Sequence, residues 1–227
     1  LEPLPGQQAD PRLDEVTVDH LLTHTSGMYS EDNVYDVSSV VAREFNVEPP
    51  PTAEEIARYT ISQPFIFDPE TDWDYNNYGY MMLDMMLKNI TGRNFAEYVQ
   101  EEIFRPVGVG RARRGNGPES ELAPTEVDYD GLEGDSYDVP FDAAIAAGGW
   151  VMAAPDMARL FSALFDFENA SGLLQPATRQ EMLALPFQAS VDVGYGRGWF
   201  GEGSIFFEDH SGGWLTDPDD GLDVHTH

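Results

Sequence analysis

The sequence has no cysteine and only one lysine, Lys88, among its 227 residues. Without cysteine, disulfide bonds and thiolate metal sites are excluded. No run of about 18 apolar residues occurs, so no membrane-spanning helix is predicted. Basic residues are scarce as well: 12 Lys and Arg stand against 41 Asp and Glu, a net charge of −29. Because nucleic acids and anionic membranes are polyanions, we expect neither as a partner.

The acidic residues are spread along the whole chain. This composition is typical of proteins that stay soluble in high salt, where screening removes most of the self-repulsion. We therefore expect halophilic behaviour; the alternative is an ordinary acidic protein with one acidic loop. Residues 115–142 hold nine acidic residues and no basic residue, which predicts a solvated surface loop.

Capping residues and apolar periodicity predict helices along most of the chain. The predicted helices cover 17–24, 52–60, 78–91, 94–104, 155–167 and 176–185. The helix over 78–91 is apolar nearly all round, which is typical of a buried helix. Residues 1–16 are predicted to be a linker or loop and residues 29–51 irregular. Residues 195–200 and 204–208 have strand character and are predicted to form a hairpin around Gly201-Glu202-Gly203.

Four short motifs lie far apart along the chain, in an order that is more specific than any one of them. They are the segment His20-Leu21-Leu22-Thr23-His24-Thr25-Ser26-Gly27, then Tyr75-Asn76-Asn77, Ala147-Gly148-Gly149-Trp150 and His210-Ser211-Gly212-Gly213. In this order, and with Ile90–Arg93 and Phe104–Gly108 between them, they resemble the serine β-lactamase and penicillin-binding-protein superfamily. The resembling branch contains esterases, D-amino-acid peptidases and class C β-lactamases. The resemblance covers roughly residues 15–214.

The resemblance implies an α+β fold, in which a helical domain lies beside an antiparallel sheet with the site between them. It assigns residues 17–190 to a mainly helical domain and residues 191–214 to a hairpin that carries the last motif. Residues 215–227 depart from the family and are treated as an atypical tail. We expect the chain to lack elements from both ends of the complete β-lactamase/transpeptidase-like fold.

The resemblance also implies roles for individual residues in acyl transfer. Tyr75 is the proton-handling group, and Asn77 orients the substrate or the base. His210 takes the position of a lysine in β-lactamases, which favours the esterase and peptidase branches. Ser211 binds a substrate carboxylate or the base, while Gly212 and Gly213 belong to the substrate and oxyanion site. The expected partner is a small-molecule or peptide-like acyl substrate, and no cofactor or metal is implied.

The nucleophile motif of this superfamily, Ser-x-x-Lys, is absent from the sequence. The only lysine is Lys88, and the residue three positions before it is Met85. We therefore expect the chain by itself to be inactive, as a piece of a serine hydrolase. A non-catalytic protein that binds a ligand in the same fold is the alternative. A weaker alternative is a metal-dependent hydrolase, since His20 and His24 lie four apart on a predicted helix, a spacing that can bind zinc.

Overall fold

The computed structural model describes residues 1–30, 37–115, 146–165, 173–184, 187–188, 193–198 and 200–202. The helices are α1 (Val18–Leu22), α2 (Ser38–Phe45), α3 (Ala53–Ile61), α4 (Asn77–Thr91), α5 (Phe95–Val99), α6 (Ala154–Phe165) and α7 (Pro176–Leu183). The strands are β1 (Arg113–Arg114), β2 (Trp150–Val151), β3 (Phe187–Gln188), β4 (Val193–Tyr195) and β5 (Phe200–Glu202). Helices and short antiparallel strands together confirm the predicted α+β class. None of the described helices has both the length and the apolarity to cross a membrane.

Side-chain caps determine where several helices begin. At α3, the Thr52 hydroxyl accepts the Glu55 N–H at 3.2 Å, and the Glu55 carboxylate accepts the Thr52 N–H at 2.7 Å. This reciprocal pair satisfies backbone donors that the first turn leaves free. The Asn94 side chain caps α5 through a single bond, by accepting the Glu97 N–H at 2.8 Å. The predicted starts of both helices are confirmed.

The main hydrophobic core lies where α3 and α4 pack with α1, α2 and the chain after Gly27. Its buried members are Leu21, Met28, Val37, Val41, Ile56, Ala57, Ile61, Phe65, Tyr78, Met81 and Met82. Burying one such side chain fully contributes about 1.5–3 kcal/mol. This core fixes the N-terminal half of α4, which carries the candidate site at its first turn.

The second half of α4 departs from the prediction of a fully buried helix. The buried residues of α4 are Tyr78, Gly79, Met81 and Met82, all in its first two turns. Further along, Met86 is 40% exposed and Ile90 is 81% exposed. An apolar composition predicted burial for the whole helix, but among the described residues its fully buried side chains lie in the N-terminal half, and Met85 is only partly buried against the core.

A smaller core is built around Phe104, Val109 and Ala112, with Trp150 and Leu160 packed against it. The ring of Phe104 meets that of Trp150 edge to face, with their centroids 4.9 Å apart. Nearby, β1 pairs antiparallel with β2, and Arg114 lies opposite Trp150. The segment after α5 continues through a π-helical turn, Gln100–Phe104, and a 3-10 turn, Arg105–Val107.

The chain forms two compact units, residues 1–160 and 161–227. In the second unit, β3, β4 and β5 form an antiparallel sheet in that order, with Tyr195 opposite Phe200. The hairpin turn therefore falls between Tyr195 and Phe200, where the sequence analysis expected a strand. Gly196 and Gly198 explain the difference, because glycine weakens a strand and favours a turn. Residues 204–208, the other predicted strand, lie outside the described residues, and the domain division at residue 190 stays a prediction.

Two segments expected to be irregular contain helical turns. Within 29–51, α2 buries Val41 and Ala42 in the core, so tertiary packing stabilises a helix that has no side-chain cap. Within 1–16, Pro11–Glu15 forms a 3-10 helix capped by Asp10, whose carboxylate accepts the Arg12 N–H at 3.0 Å. The Arg12 guanidinium binds Asp10 and Asp68 at 2.6 and 2.7 Å. These bonds attach the segment predicted as a linker to the body of the protein.

Candidate active site around Tyr75

Two segments distant in sequence pair through their backbones to form the base of the site. We call residues 24–27 the anchor block and residues 65–76 the tyrosine segment. The amides of Ile66, Glu70 and Asp74 donate to the carbonyls of Gly27, Thr25 and His24, at 2.8, 2.9 and 3.1 Å respectively. The two segments therefore run in opposite directions along each other. Their pairing brings the end of the tyrosine segment to the start of α4.

Gly27 permits the close approach of the two segments. Its φ angle is +70°, and a Cβ placed there would lie 2.1 Å from the carbonyl oxygen of Phe67. Both the left-handed backbone and the contact with Phe67 exclude a larger side chain. The glycine of the His-Thr-Ser-Gly motif is thus required by backbone packing.

Asn76 connects the tyrosine segment, the chain after the anchor block and α4. Its side-chain amide donates to the carbonyl oxygens of Met28 and Tyr29 at 3.0 and 3.1 Å. Its side-chain oxygen accepts the Tyr78 N–H at 2.9 Å and so caps α4. The residue is 4% exposed, and a buried polar group that makes this many hydrogen bonds holds its surroundings in one arrangement. Asn76 therefore fixes the backbone on either side of itself.

His24 is the buried centre of an aromatic cluster. The residue is 1% exposed, and its Nδ1 accepts the Asn76 N–H at 3.0 Å. Its ring centroid lies 4.4 Å from that of Tyr75, 5.2 Å from that of Tyr80 and 6.1 Å from that of Trp73. Burial lowers the pKa of His24 from 6.5 to about 4. The imidazole is therefore neutral at pH 7.

Tyr75 sits directly before the cap of α4 and keeps part of its side chain accessible. The residue is 44% exposed, while the opposite part of its ring rests against His24. Burial raises the pKa of the Tyr75 phenol above its usual value. In this environment Tyr75 is a protonated phenol at neutral pH, and a cation placed close to it would be needed to make it a base.

The other predicted site residues divide between those the structure describes and those it does not. Asn77 is the first residue of α4 and is half-buried, next to the Asn76 cap. His210, Ser211, Gly212 and Gly213 lie outside the described residues. The family resemblance implies that Tyr75 and His210 meet in one cleft, with Asn77 facing it, and this stays a prediction.

The two histidines expected to share a helix face do not share one. The helix α1 ends at Leu22, and His24 has a φ angle of +59°, so the helical spacing behind the zinc hypothesis is wrong. The His20 Nδ1 accepts the Thr17 N–H at 3.2 Å, and its Nε2 contacts the Glu70 carboxylate at 2.9 Å. Within the described part of the chain no group of three or more potential metal ligands occurs.

Sequence reasoning missed the two residues that organise the site, Asn76 and His24. In the sequence, Asn76 stands out only as the middle residue of a motif, and His24 only as a motif residue and one half of a possible zinc pair. A signal was present for Asn76, because an asparagine before an apolar helical run is a strong N-cap candidate. No local pattern signals that His24 accepts a bond from a residue 52 positions away.

The fold is that of β-lactamase and transpeptidase-like proteins. The solved structure of a penicillin-binding protein from Bacillus halodurans superposes with a TM-score of 0.63 at 25% sequence identity, over 88% of this chain and 60% of the other. That of a D-stereospecific amidohydrolase from Streptomyces gives a TM-score of 0.60 at 25% identity, over 82% and 56% of the two chains. Residues 2–224 match the profile of the Beta-lactamase family, and the chain belongs to that family.

A curated relative in sequence is penicillin-binding protein 4* of Bacillus subtilis, 24% identical over 223 residues. The match covers 88% of this chain but only 46% of that relative. The chain therefore spans less than half of its length. The resemblance drawn from the four motifs to the serine β-lactamase and penicillin-binding-protein superfamily is confirmed.

Proposed function

We propose that this protein contributes the proton-transfer half of an acyl-transfer site that acts on ester or amide substrates. The placement of Tyr75 carries this proposal. Its ring is held by a buried cluster on one side, remains accessible on the other, and lies at the start of α4. A general base must be fixed in orientation and reachable by the substrate, and Tyr75 has both properties.

In the proposed reaction, Tyr75 takes the proton of the serine nucleophile and returns it to the leaving group. A phenol whose pKa is raised does this at neutral pH only when a cation lies next to it. His24 is not that cation, because its burial keeps it neutral. The family supplies the cation from the lysine of Ser-x-x-Lys. We assign Asn77 to orientation of the substrate or the base, His210 to catalysis, and Ser211, Gly212 and Gly213 to binding of the substrate and the oxyanion.

The proposed substrates are peptide-like amides with D-stereochemistry, followed by simple esters. The similarity to a protein named as a D-stereospecific amidohydrolase and the histidine at position 210 both favour these over β-lactams. The product of the complete gene is the protein to assay, with D-amino-acid amides, their L-enantiomers and a nitrophenyl ester as substrates. We expect faster hydrolysis of the D-amides.

The residue assignment is tested with Tyr75→Phe, which removes the hydroxyl and keeps the ring against His24. Losing a general base reduces kcat by about 10²–10⁴-fold. Tyr98→Phe is the matched control. Tyr98 lies on α5, where the Arg93 side chain packs over its ring, and it has no proposed role in the reaction. Full activity of Tyr75→Phe in the complete protein would contradict the proposal.

A second function, ligand binding without catalysis, is favoured by one observation: these 227 residues contain no Ser-x-x-Lys. Removing the nucleophile and its partner from such a unit costs on the order of 10⁶-fold in kcat. We therefore expect no serine of this chain to be labelled by a fluorophosphonate or penicillin probe. If the complete gene also lacks the motif and the protein binds a D-amide without hydrolysing it, the second function is correct.

A further inference from the structure

His24 makes two independent contacts with the region that carries Tyr75, and neither belongs to the roles assigned above. One contact is a hydrogen bond to the backbone directly after Tyr75, and the other is to the Tyr75 ring itself. We propose that His24 is a positioning residue, which fixes both the backbone and the ring of Tyr75 at the N-terminus of α4. This inference rests on the proposed role of Tyr75 in proton transfer.

The backbone contact holds the peptide that joins Tyr75 to Asn76. The N–H of that peptide donates to the His24 Nδ1 at 3.0 Å. The same histidine accepts the Asp74 N–H through its own carbonyl oxygen at 3.1 Å. His24 thus binds the backbone on both sides of Tyr75, which limits the rotation that would move the phenol away from α4.

The ring contact limits the side chain. The Tyr75 and His24 centroids are 4.4 Å apart with a 45° angle between the planes, close enough for direct packing. His24 is itself held in place, because the Tyr80 ring packs on it at 5.2 Å and the Tyr80 hydroxyl donates to the Leu22 carbonyl at 2.8 Å. Tyr75 therefore rests on a support that is already fixed.

The protonation state of His24 suits this role. To accept the Asn76 N–H, Nδ1 must be unprotonated, so the neutral ring carries its proton on Nε2. Burial favours the neutral form by lowering the pKa of His24 to about 4. A neutral ring supports Tyr75 without supplying the charge that would activate it. Positioning and activation of the phenol therefore come from different residues.

The test compares His24→Asn with His20→Asn in the chain as it stands. Asparagine tolerates the left-handed backbone at position 24 and retains an acceptor near the Nδ1 position, but it removes the ring under Tyr75. His20 is also buried at 6% exposure, in the same motif, and its Nδ1 also accepts a backbone N–H. No ring contact joins His20 to Tyr75 among the described residues, so a variant at position 20 controls for general loss of stability.

The readout is the ¹³Cζ resonance of Tyr75 in tyrosine-labelled protein, assigned by its loss in Tyr75→Phe and followed against pH. We expect His24→Asn to bring the titration of Tyr75 down towards the ordinary value of about 10, and His20→Asn to leave it as in the wild type. A Tyr75 titration unchanged in folded His24→Asn would overturn the inference.

A measurement on the wild-type chain does not depend on the variant folding. In ¹⁵N-labelled protein, a coupling across the hydrogen bond should join the Asn76 amide nitrogen to the His24 Nδ1, and the His24 and Tyr75 rings should show mutual NOEs. Absence of both would equally overturn the inference. None of these measurements requires turnover. A Tyr75 that responds to His24, together with full activity of Tyr75→Phe in the complete protein, would therefore refute the proposed function alone.

Discussion

Acidification should destabilise the protein through His24, by an amount that follows from its burial. Its pKa is lowered from 6.5 to about 4 in the folded chain. Above pH 6.5 neither the folded nor the unfolded chain protonates this residue, so it contributes no pH dependence. Between pH 6.5 and 4 the unfolded chain binds a proton that the folded chain does not, and stability falls. Below pH 4 both states are protonated, and the loss is complete.

The size of the loss follows from about 1.4 kcal/mol for each pH unit of difference between the two states. The free energy of unfolding should fall by about 1.4 kcal/mol at pH 5.5 and by about 3 kcal/mol once pH 4 is reached. The residue is 1% exposed, so solvent screening reduces this effect little. The physical origin is burial, because a charge placed in the core loses its hydration.

The assay is urea unfolding followed by tryptophan fluorescence between pH 7.5 and 4.5, in wild type and His24→Asn. Other groups titrate in this range, and with 41 acidic residues acid also relieves repulsion. Only the difference between the two proteins therefore isolates His24. We expect the wild type to have the higher free energy of unfolding at pH 7.5. The difference between the two proteins should be about 2.5 kcal/mol smaller at pH 4.5. A gap that stays constant across this range would refute the reasoning.

Three further predictions concern stability. Gly27→Ala should lower the free energy of unfolding by about 3 kcal/mol or more, because the left-handed strain and the clash with Phe67 add together. The control is Gly92→Ala, at the same φ of +70° but with open space around it, which should lower it by about 1 kcal/mol. Equal losses for the two variants in urea unfolding would contradict the role of the clash. Thr52→Ala should lower the free energy of unfolding by about 1 kcal/mol, because it removes the cap of α3. A variant as stable as the wild type would show that the capping box contributes nothing to stability. The melting temperature should rise between about 0.1 and 1 M KCl, as the Debye length falls from about 10 to 3 Å; a flat or falling melting curve against KCl would reject the halophilic interpretation.

The elements predicted correctly from the sequence are those whose ends are determined locally. The start of α3 at Thr52 and the end of α4 before Gly92 follow from side chains within a few residues of each end, and both are confirmed. The helix α2 was missed because nothing local marks its start; it forms since Val41 and Ala42 are buried by distant parts of the chain. The exposure of Ile90 was not predicted either, because an apolar composition does not show how far along a helix other elements pack against it.

In the candidate site, too, the sequence predicts what a local motif specifies and not what depends on distant contacts. Tyr75 and Asn77 were located by motif, and the structure places them at the start of α4. What holds them there was not predictable, because it depends on contacts with the anchor block rather than on the motif itself. Asn76 and His24 act through hydrogen bonds across the fold, and a motif gives their order along the chain without giving their partners.

The bonds around Asn76 also bear on when the site forms during folding. Apart from the cap to Tyr78, they join positions 47 to 52 residues apart along the chain, so a long loop must close before any of these three bonds exists. Helices such as α3, whose cap joins neighbouring residues, carry no such entropic cost and form early. We therefore expect Tyr75 to reach its place later than helices such as α3 form. A folding intermediate with its helices formed would still leave this tyrosine unpositioned.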